Sequence, residues 1–334
     1  FSPLIRTPAK CIAVADIDGE DDEDIFIGGR VALGNYPIPP RSYILRNDHG
    51  KFTDVTSSVC PALENIGLIN AAVWVDIDND KKPDLIIAAD WMPIRIFKNN
   101  GKTLTEITDQ TGLQNYPGLW RSLNITDIDH DGNLDIVAGN LGLNNPYHIT
   151  AQQPAELIAK DFDHNGVMDN ILCYYMKDND GKYKLSSVIS REDLARQMPS
   201  IKQRFVTNSS YSKATMDEIF TKDMMENALV LKCSEVRSGY FKNDGKGHFS
   251  FHPFPMIAQI APVNSIVCTD VNGDGHTDII LAGNEYQANV NPGRYDASYG
   301  LLLTGNGKGD FTPVSPVSSG LIIDGDVKDM KLIS

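Results

Sequence analysis

Leu123–Asn140 reads LNITDIDHDGNLDIVAGN: an apolar run, acids at every second position, then a second apolar run. The figure recurs as IAVADIDGEDDEDIFIGG from Ile12, AAVWVDIDNDKKPDLIIAAD from Ala71, LIAKDFDHNGVMDNILCYY from Leu157 and SIVCTDVNGDGHTDIILAGN from Ser265. The flanking runs are short and rich in Val and Ile, which predicts strands joined by the acidic loop. The first acids, Asp16, Asp76, Asp127, Asp161 and Asp270, are 60, 51, 34 and 109 residues apart. The last gap holds about two repeats, one of them without an acidic loop.

A second element accompanies the first. Asn47–Phe52 (NDHGKF), Asn99–Leu104 (NNGKTL), Asn243–Phe249 (NDGKGHF) and Asn306–Phe311 (NGKGDF) each separate two strand-like runs. Their Asn-Gly and Asp-Gly pairs supply the positive φ of tight hairpins. A full repeat is then strand A, acidic loop, strand B, longer connection, strand C, Gly turn, strand D. Four antiparallel strands about every 50 residues is the pattern of a β-propeller blade. Blades are expected to begin near residues 10, 68, 119, 155, 228 and 264, with Leu321–Ser334 part of another. The expected fold is all-β: one propeller domain over residues 1–334, with seven blades and six as the alternative. Arg191–Ala228 breaks the pattern with helical spacing, and Ser190 and Thr215 are placed to cap its helices, so a helical insertion is expected there. The chain starts at Phe1 and ends in a strand-like run, which reads as a fragment of a longer protein.

Aligned on the first acid, positions 1, 3, 5 and 9 are Asp16, Asp18, Glu20 and Asp24; Asp76, Asp78, Asp80 and Asp84; Asp127, Asp129, Asp131 and Asp135; Asp161, Asp163, Asn165 and Asp169; and Asp270, Asn272, Asp274 and Asp278. Carboxylates this dense repel one another without a cation, and all of these groups are hard oxygen ligands suited to Ca²⁺. The backbone carbonyl of position 7 would add a ligand from Asp22, Lys82, Asn133, Val167 and His276. An EF-hand needs a bidentate Glu at position 12 and flanking helices. Position 12 is Ile27, Ile87, Ala138, Leu172 and Leu281, so that motif is excluded. About five Ca²⁺ sites are expected, and five ions would take the formal charge from −14 to −4. His130, His164 and His276 fall at other loop positions and read as solvent-facing.

The pattern resembles FG-GAP/VCBS repeats, whose fold is the calcium-binding propeller of the integrin α-subunit head. Pro40–Thr56, Trp91–Gly101, Ala138–Tyr147, the ATMDEIF segment and Asn291–Leu303 further resemble bacterial exported VCBS proteins of the ASPIC/UnbV and cartilage acidic protein group. The resemblance implies an exported protein, placed extracellularly, at the cell surface or in the periplasm.

Composition limits the partners. The net charge of −14 argues against nucleic acid, and no apolar run reaches the ~18 residues of a membrane span. There is no G-x-S-x-G, H-E-x-x-H or P-loop motif. The cysteines number five and are dispersed, so the chain is no disulfide scaffold, and one bridge remains possible with its partners open. In a four-stranded blade the A–B and C–D turns share one end, and the longer connections share the other. Those connections carry Tyr36, Trp91, Tyr116, Trp120, Arg121, Asn140, Asn144, Asn145, Tyr147, Glu285, Tyr286, Asn289, Arg294, Tyr295 and Asp296. Of these, Arg294, Tyr295, Asp296, Trp91 and Tyr286 are the candidate ligand contacts, while Trp91 and Trp120 also suit a packing role between blades. The expectation is a monomeric, non-enzymatic recognition or adhesion module for a protein or glycan, bound opposite the calcium loops. The alternative is a lyase-like enzyme acting on polysaccharide.

Overall fold

The computed structural model describes residues 3–32, 34–177, 180–288 and 293–333. Strands β1 (Ala9–Ala15), β2 (Asp24–Gly29), β3 (Tyr43–Asp48) and β4 (Lys51–Asp54) form one antiparallel sheet. A second follows with β5 (Leu68–Val75), β6 (Asp84–Met92), β7 (Arg95–Asn99) and β8 (Leu104–Glu106), and the short β9 (Gly118–Leu119) pairs with β6. Strands β10 (Ser122–Thr126) and β11 (Asp135–Gly139) begin a third sheet, which the chain then leaves. Strands β12 (Ala155–Lys160), β13 (Asp169–Lys177), β14 (Tyr183–Ser187) and β15 (Leu229–Cys233) form a sheet of their own, in the order β14-β13-β12-β15. The chain returns with β16 (Gly239–Asn243) and β17 (Phe249–Pro253) to complete the third sheet. Strands β18 (Val263–Thr269), β19 (Asp278–Gly283), β20 (Leu301–Gly305) and β21 (Phe311–Val314) form the last.

The fold is thus all-β and built of four-stranded antiparallel blades, but the blade count differs from seven. Among the described residues there are five sheets, and four of them follow one another face to face. The expected blades at 155 and 228 are not two blades. LVLKC at Leu229–Cys233 pairs with β12, Leu157 opposite Leu231. The Gly turn that follows it belongs to β16 and β17, which complete the blade begun at residue 122. Val137 lies opposite Tyr240, with the whole insertion between them. The free edge of β11 needs a partner for its backbone groups, and a strand about 100 residues away supplies it. A repeat pattern reports strand pairs joined by tight loops and is blind to this kind of closure.

Each interface between successive blades is an apolar layer. Phe26, Ile44, Ile69, Leu85, Ile87 and Phe97 fill the first. Ile86, Ile96, Trp120, Ile136 and Phe241 fill the second, and Val137, Tyr240, Ile266, Ile279 and Leu303 the third. Alternation along β6 sends Leu85 and Ile87 one way and Ile86 and Ala88 the other, as a strand buried on both faces requires. On β1 the residues facing away from the second blade are uncovered: Ile12 is 66% exposed and Val14 50%. The inserted sheet stands apart from this row. Helical segments Arg191–Gln197, Ser200–Arg204, Asn208–Lys213, Met216–Ile219 and Lys222–Met225 cover one of its faces. There Leu194, Met198, Ile201, Ile219 and Phe220 pack with Ile158, Ile171 and Cys173. Ser190 caps the first of these helices through the Asp193 N–H, and Thr215 with Glu218 forms a capping box.

All five cysteines are free, which closes the question of a bridge. Burial pushes the thiols of Cys173 and Cys268 up to about 12, so they are packing groups rather than nucleophiles. No helix among the described residues is long and apolar enough to cross a membrane.

Trp120 is fully buried between the second and third blades, edge-on to Phe241 and with Nε1 donating to the Tyr116 carbonyl at 3.0 Å. Trp120→Ala is expected to cost about 3–5 kcal/mol in urea denaturation, as a large cavity at a blade interface should. A cost below about 1 kcal/mol would show that the interface relaxes freely around the void.

Candidate metal centres and ligand face

The five acidic loops share one backbone path. The position-1 carboxylates turn inward and accept loop N–H groups. Asp16 accepts from Gly19, Glu20 and Asp21, and Asp127 from Asp131 and Gly132. Asp76, Asp161 and Asp270 repeat the arrangement. To wrap around that carboxylate the chain takes positive φ at positions 4 and 6 of every loop. Position 4 is Gly19, Asn79, His130, His164 and Gly273; position 6 is Asp21, Lys81, Gly132, Gly166 and Gly275. Gly, Asn, Asp and His tolerate that region best, and Lys81 is the one departure.

Position 9 does different work. Asp24, Asp84, Asp135, Asp169 and Asp278 are all buried at the start of strand B. In every loop Oδ2 accepts the N–H of position 2, from Ile17, Ile77, Ile128, Phe162 and Val271, at 3.0–3.3 Å. In the four blades of the row Oδ1 accepts an N–H from strand C: Asn47, Asn99, Asn243 and Gly305, at 2.7–2.9 Å. Burial pushes the Asp24, Asp84, Asp135 and Asp169 carboxyls up, Asp135 to about 6, and neighbouring loop carboxylates push the same way.

The remaining oxygens fit a cation. Carboxylate oxygens of positions 1, 3 and 9 lie within 4.8 Å of one another in the loops at Asp16, Asp76, Asp127 and Asp161. Asp18 Oδ1 and Asp129 Oδ1, both at position 3, are buried without a hydrogen-bond partner. A divalent ion on positions 1, 3, 5 and 9 would satisfy them and cancel the repulsion. The fifth loop has Asn272 in place of a carboxylate at position 3, and its amide donates to Asp274 at 3.0 Å.

Strand C brings in a residue that sequence reasoning missed. The Lys98 ammonium contacts Asp78 and lies 3.4 Å from Asp80. Lys242 contacts Asp129 and lies 3.8 Å from Asp131. Arg46 holds the same place in the first blade, and Thr304 in the last, each one residue before the N–H donor to position 9. The signal was present as a basic residue before Asn47, Asn99 and Asn243, but only the tertiary pairing points it at a loop. His276 also departs from expectation. It is half-buried, with its ring 5.8 Å from that of His130 in the next blade, because the two loops abut. His130 and His164 are exposed as expected.

At the opposite end, ionisable groups from several blades meet around the axis. Arg30 pairs with Asp90, and Arg121 donates to Asn264 at 3.2 Å and Glu285 at 3.3 Å. Lys328 reaches Asp326 at 2.7 Å and Glu285 at 3.6 Å. Lys10 donates to Asn70 Oδ1 at 2.9 Å, and Asn70 in turn donates to Asp90 and to the Trp120 carbonyl. Desolvation of the ammonium, with Arg30 and Arg121 nearby, lowers Lys10 to about 8, although the residue as a whole stays solvent-exposed. The guanidiniums are thereby used as braces between blades.

The five candidate ligand residues lie at this same end. Trp91 takes positive φ and donates Nε1 to Tyr36 Oη at 2.8 Å. Trp91 and Tyr295 both pack on the buried cluster of Leu141, Ala155, Cys233 and Val236, at the foot of the insertion. Arg294 lies over the Tyr286 ring at 5.2 Å, and Asp296 is exposed. Asn289, with Asn291 and Pro292 of the resembling segment, lies outside the described residues. Trp120 is wholly a packing residue. A separate cleft of about 670 Å³ opens between the two stalks of the insertion, lined by Tyr116, Asn145, Tyr147, His148, Glu235 and Arg237 among others.

Two outcomes are expected for the loops. Asp135→Asn should lower the Ca²⁺ stoichiometry by one in titration calorimetry. In the intact protein the affinity of that loop should fall as pH drops through about 6, because the ligand must be ionised to bind. Without Ca²⁺ the sign reverses: a folded-state pKa above the usual carboxylate value makes this group's contribution greatest at low pH and lost as pH rises through about 6. Lys98→Thr should raise the affinity of the second loop on the order of tenfold, since it removes a competing charge; unchanged affinity would show that the ammonium swings clear at no cost.

One comparison with known proteins bears on the loops. A family model described as an FG-GAP-like repeat matches residues 76–138, which span the second and third loops. No curated protein matches the chain. Among solved structures, an Agrocybe aegerita lectin described by its recognition of non-reducing terminal N-acetylglucosamine shares 16% identity, with 92% of this chain and 80% of that chain covered and a TM-score of 0.26. A superposition that loose carries no argument about binding. Five loops of one spacing on four-stranded blades, with the family match across two of them, support an FG-GAP/VCBS-like repeat protein.

Proposed function

We propose that this protein is a calcium-stabilised recognition module, exported from the cytoplasm, that binds a protein or glycan at the end opposite the acidic loops of the row. The observation that carries this reading is the division of labour between the two ends. At one, clustered carboxylates are clamped into the fold in an arrangement that suits a divalent cation. At the other, long connections of varied sequence sit on that rigid frame, where binding residues are usually found. Loops of this kind suit the high calcium outside the cell, and the likeness to exported bacterial repeat proteins supports the same location.

Lys10 supports a second reading. A lysine lowered to about 8 beside Arg30 and Arg121 has the makings of a base next to charge stabilisation, as a polysaccharide lyase requires. The pairing of Arg30 and Arg121 with carboxylates favours the recognition reading over it.

Chelation is expected to lower the thermal midpoint and abolish ligand binding, and added Ca²⁺ should restore both. Each site would contribute about 2.7 kcal/mol at a hundredfold excess over its dissociation constant. An identical midpoint with and without chelator would sink the calcium reading. Incubation with acidic polysaccharides should yield no unsaturated product by ultraviolet absorbance; product that disappears in Lys10→Ala would establish the enzyme instead.

A further inference from the structure

We infer that the cleft at the foot of the insertion is the ligand site and that it takes a neutral oligosaccharide; this deepens the recognition reading and rests on it. The cleft forms where the third blade opens. Residues 141–154 leave the blade and residues 234–238 return to it, stitched by the Gly142 N–H donating to the Val236 carbonyl at 2.7 Å. Its volume of about 670 Å³ falls in the range of about 300–1,000 Å³ typical of small-ligand sites.

The lining selects the chemistry. Its charged pair is self-contained. The Glu235 carboxylate, 7% exposed, accepts from Arg237 Nε at 2.8 Å and Nη2 at 2.6 Å, and from the N–H groups of Val236 and Arg237. Arg237 also lies over the Phe251 ring at 5.4 Å. Neither charge needs a ligand counter-ion, so an acidic or basic ligand gains little there. Apart from the exposed His148 imidazole, which stacks on Tyr183, the groups still free to bond are uncharged side chains. Tyr116, Tyr147, Ser234 and Gln152 line the cleft, and their side chains make no hydrogen bond among the described residues. Tyr116 and Tyr147 are both half-buried, their rings fixed by Phe241 and Phe251 in one case and by Tyr174 in the other. Fixed aromatic faces among neutral donors and acceptors match a sugar ring, which has an apolar C–H face and a rim of hydroxyls.

The test is a printed array of neutral and acidic oligosaccharides, with a parallel peptide library, probed in Ca²⁺ with the whole chain. The variants are Ala151→Trp, which fills the cleft from its exposed rim, Gln152→Ala, which removes a solvent-exposed side chain, Tyr147→Ala, and Lys308→Ala on a distant Gly turn as the control. Thermal midpoints in Ca²⁺ verify folding, and the two exposed sites keep the test valid should Tyr147→Ala not fold. The expected result is binding of neutral glycans by the parent, lost in Ala151→Trp, weakened at least about fivefold in Gln152→Ala and about tenfold in Tyr147→Ala, and unchanged in Lys308→Ala. Glycan binding that survives Ala151→Trp but disappears in Arg294→Ala would overturn the cleft and leave the recognition reading standing at another site. Binding confined to acidic glycans, or to peptides blocked by Ala151→Trp, would overturn the ligand class. Silence on both libraries would overturn the inference and the recognition reading together.

Discussion

Everything in the row of blades hangs on one buried carboxylate per repeat. At Asp24, Asp84, Asp135 and Asp278 one oxygen holds the start of the acidic loop and the other holds the third strand. A single side chain therefore fixes the loop's closure, the register of strand B and the approach of strand C. The arrangement is costly alone, because an ionised group at zero to one per cent exposure loses its hydration. Two backbone N–H bonds offset part of that cost, and a cation on the neighbouring oxygens would offset more. Asp169 tests the logic from the other side. It belongs to the inserted sheet, where no third strand donates to its second oxygen among the described residues, and there the sheet order departs from the blade pattern.

The strand-C cations add a second control on the same loops. Lys98 and Lys242 place an ammonium where a divalent ion would exert its field, and the last blade has Thr304 instead. The loops are therefore alike in backbone and differ in the charge that strand C brings to them.

The insertion decides the other end. It enters and leaves the third blade through two adjacent stalks, so an entire sheet with its helices is carried without breaking the pairing of β11 with β16. Its foot rests on the buried cluster that also holds Trp91 and Tyr295. Two of the five candidate ligand contacts, Trp91 and Tyr295, thereby also seat the insertion, while the open cleft lies between the stalks, lined by Tyr147 and Arg237 from segments about 90 residues apart.

The repeat alone determined the strands, the Gly hairpins, the acidic loops and their chemistry, since each depends on residues within about twenty positions of one another. Alternating acids, apolar flanks and Asn-Gly turns act through local backbone geometry, which a linear pattern records. Tertiary structure alone decided which strands share a blade, how many blades there are, that Lys98 and Lys242 point into the loops, that His276 meets His130, and where a cleft opens. Apart from Lys98, which lies 20 positions from Asp78 and reaches it across a strand pairing, these depend on pairings across roughly 70 to 150 residues, which exist only because free strand edges must find backbone partners and apolar faces must be covered. Neither demand leaves a mark at fixed spacing.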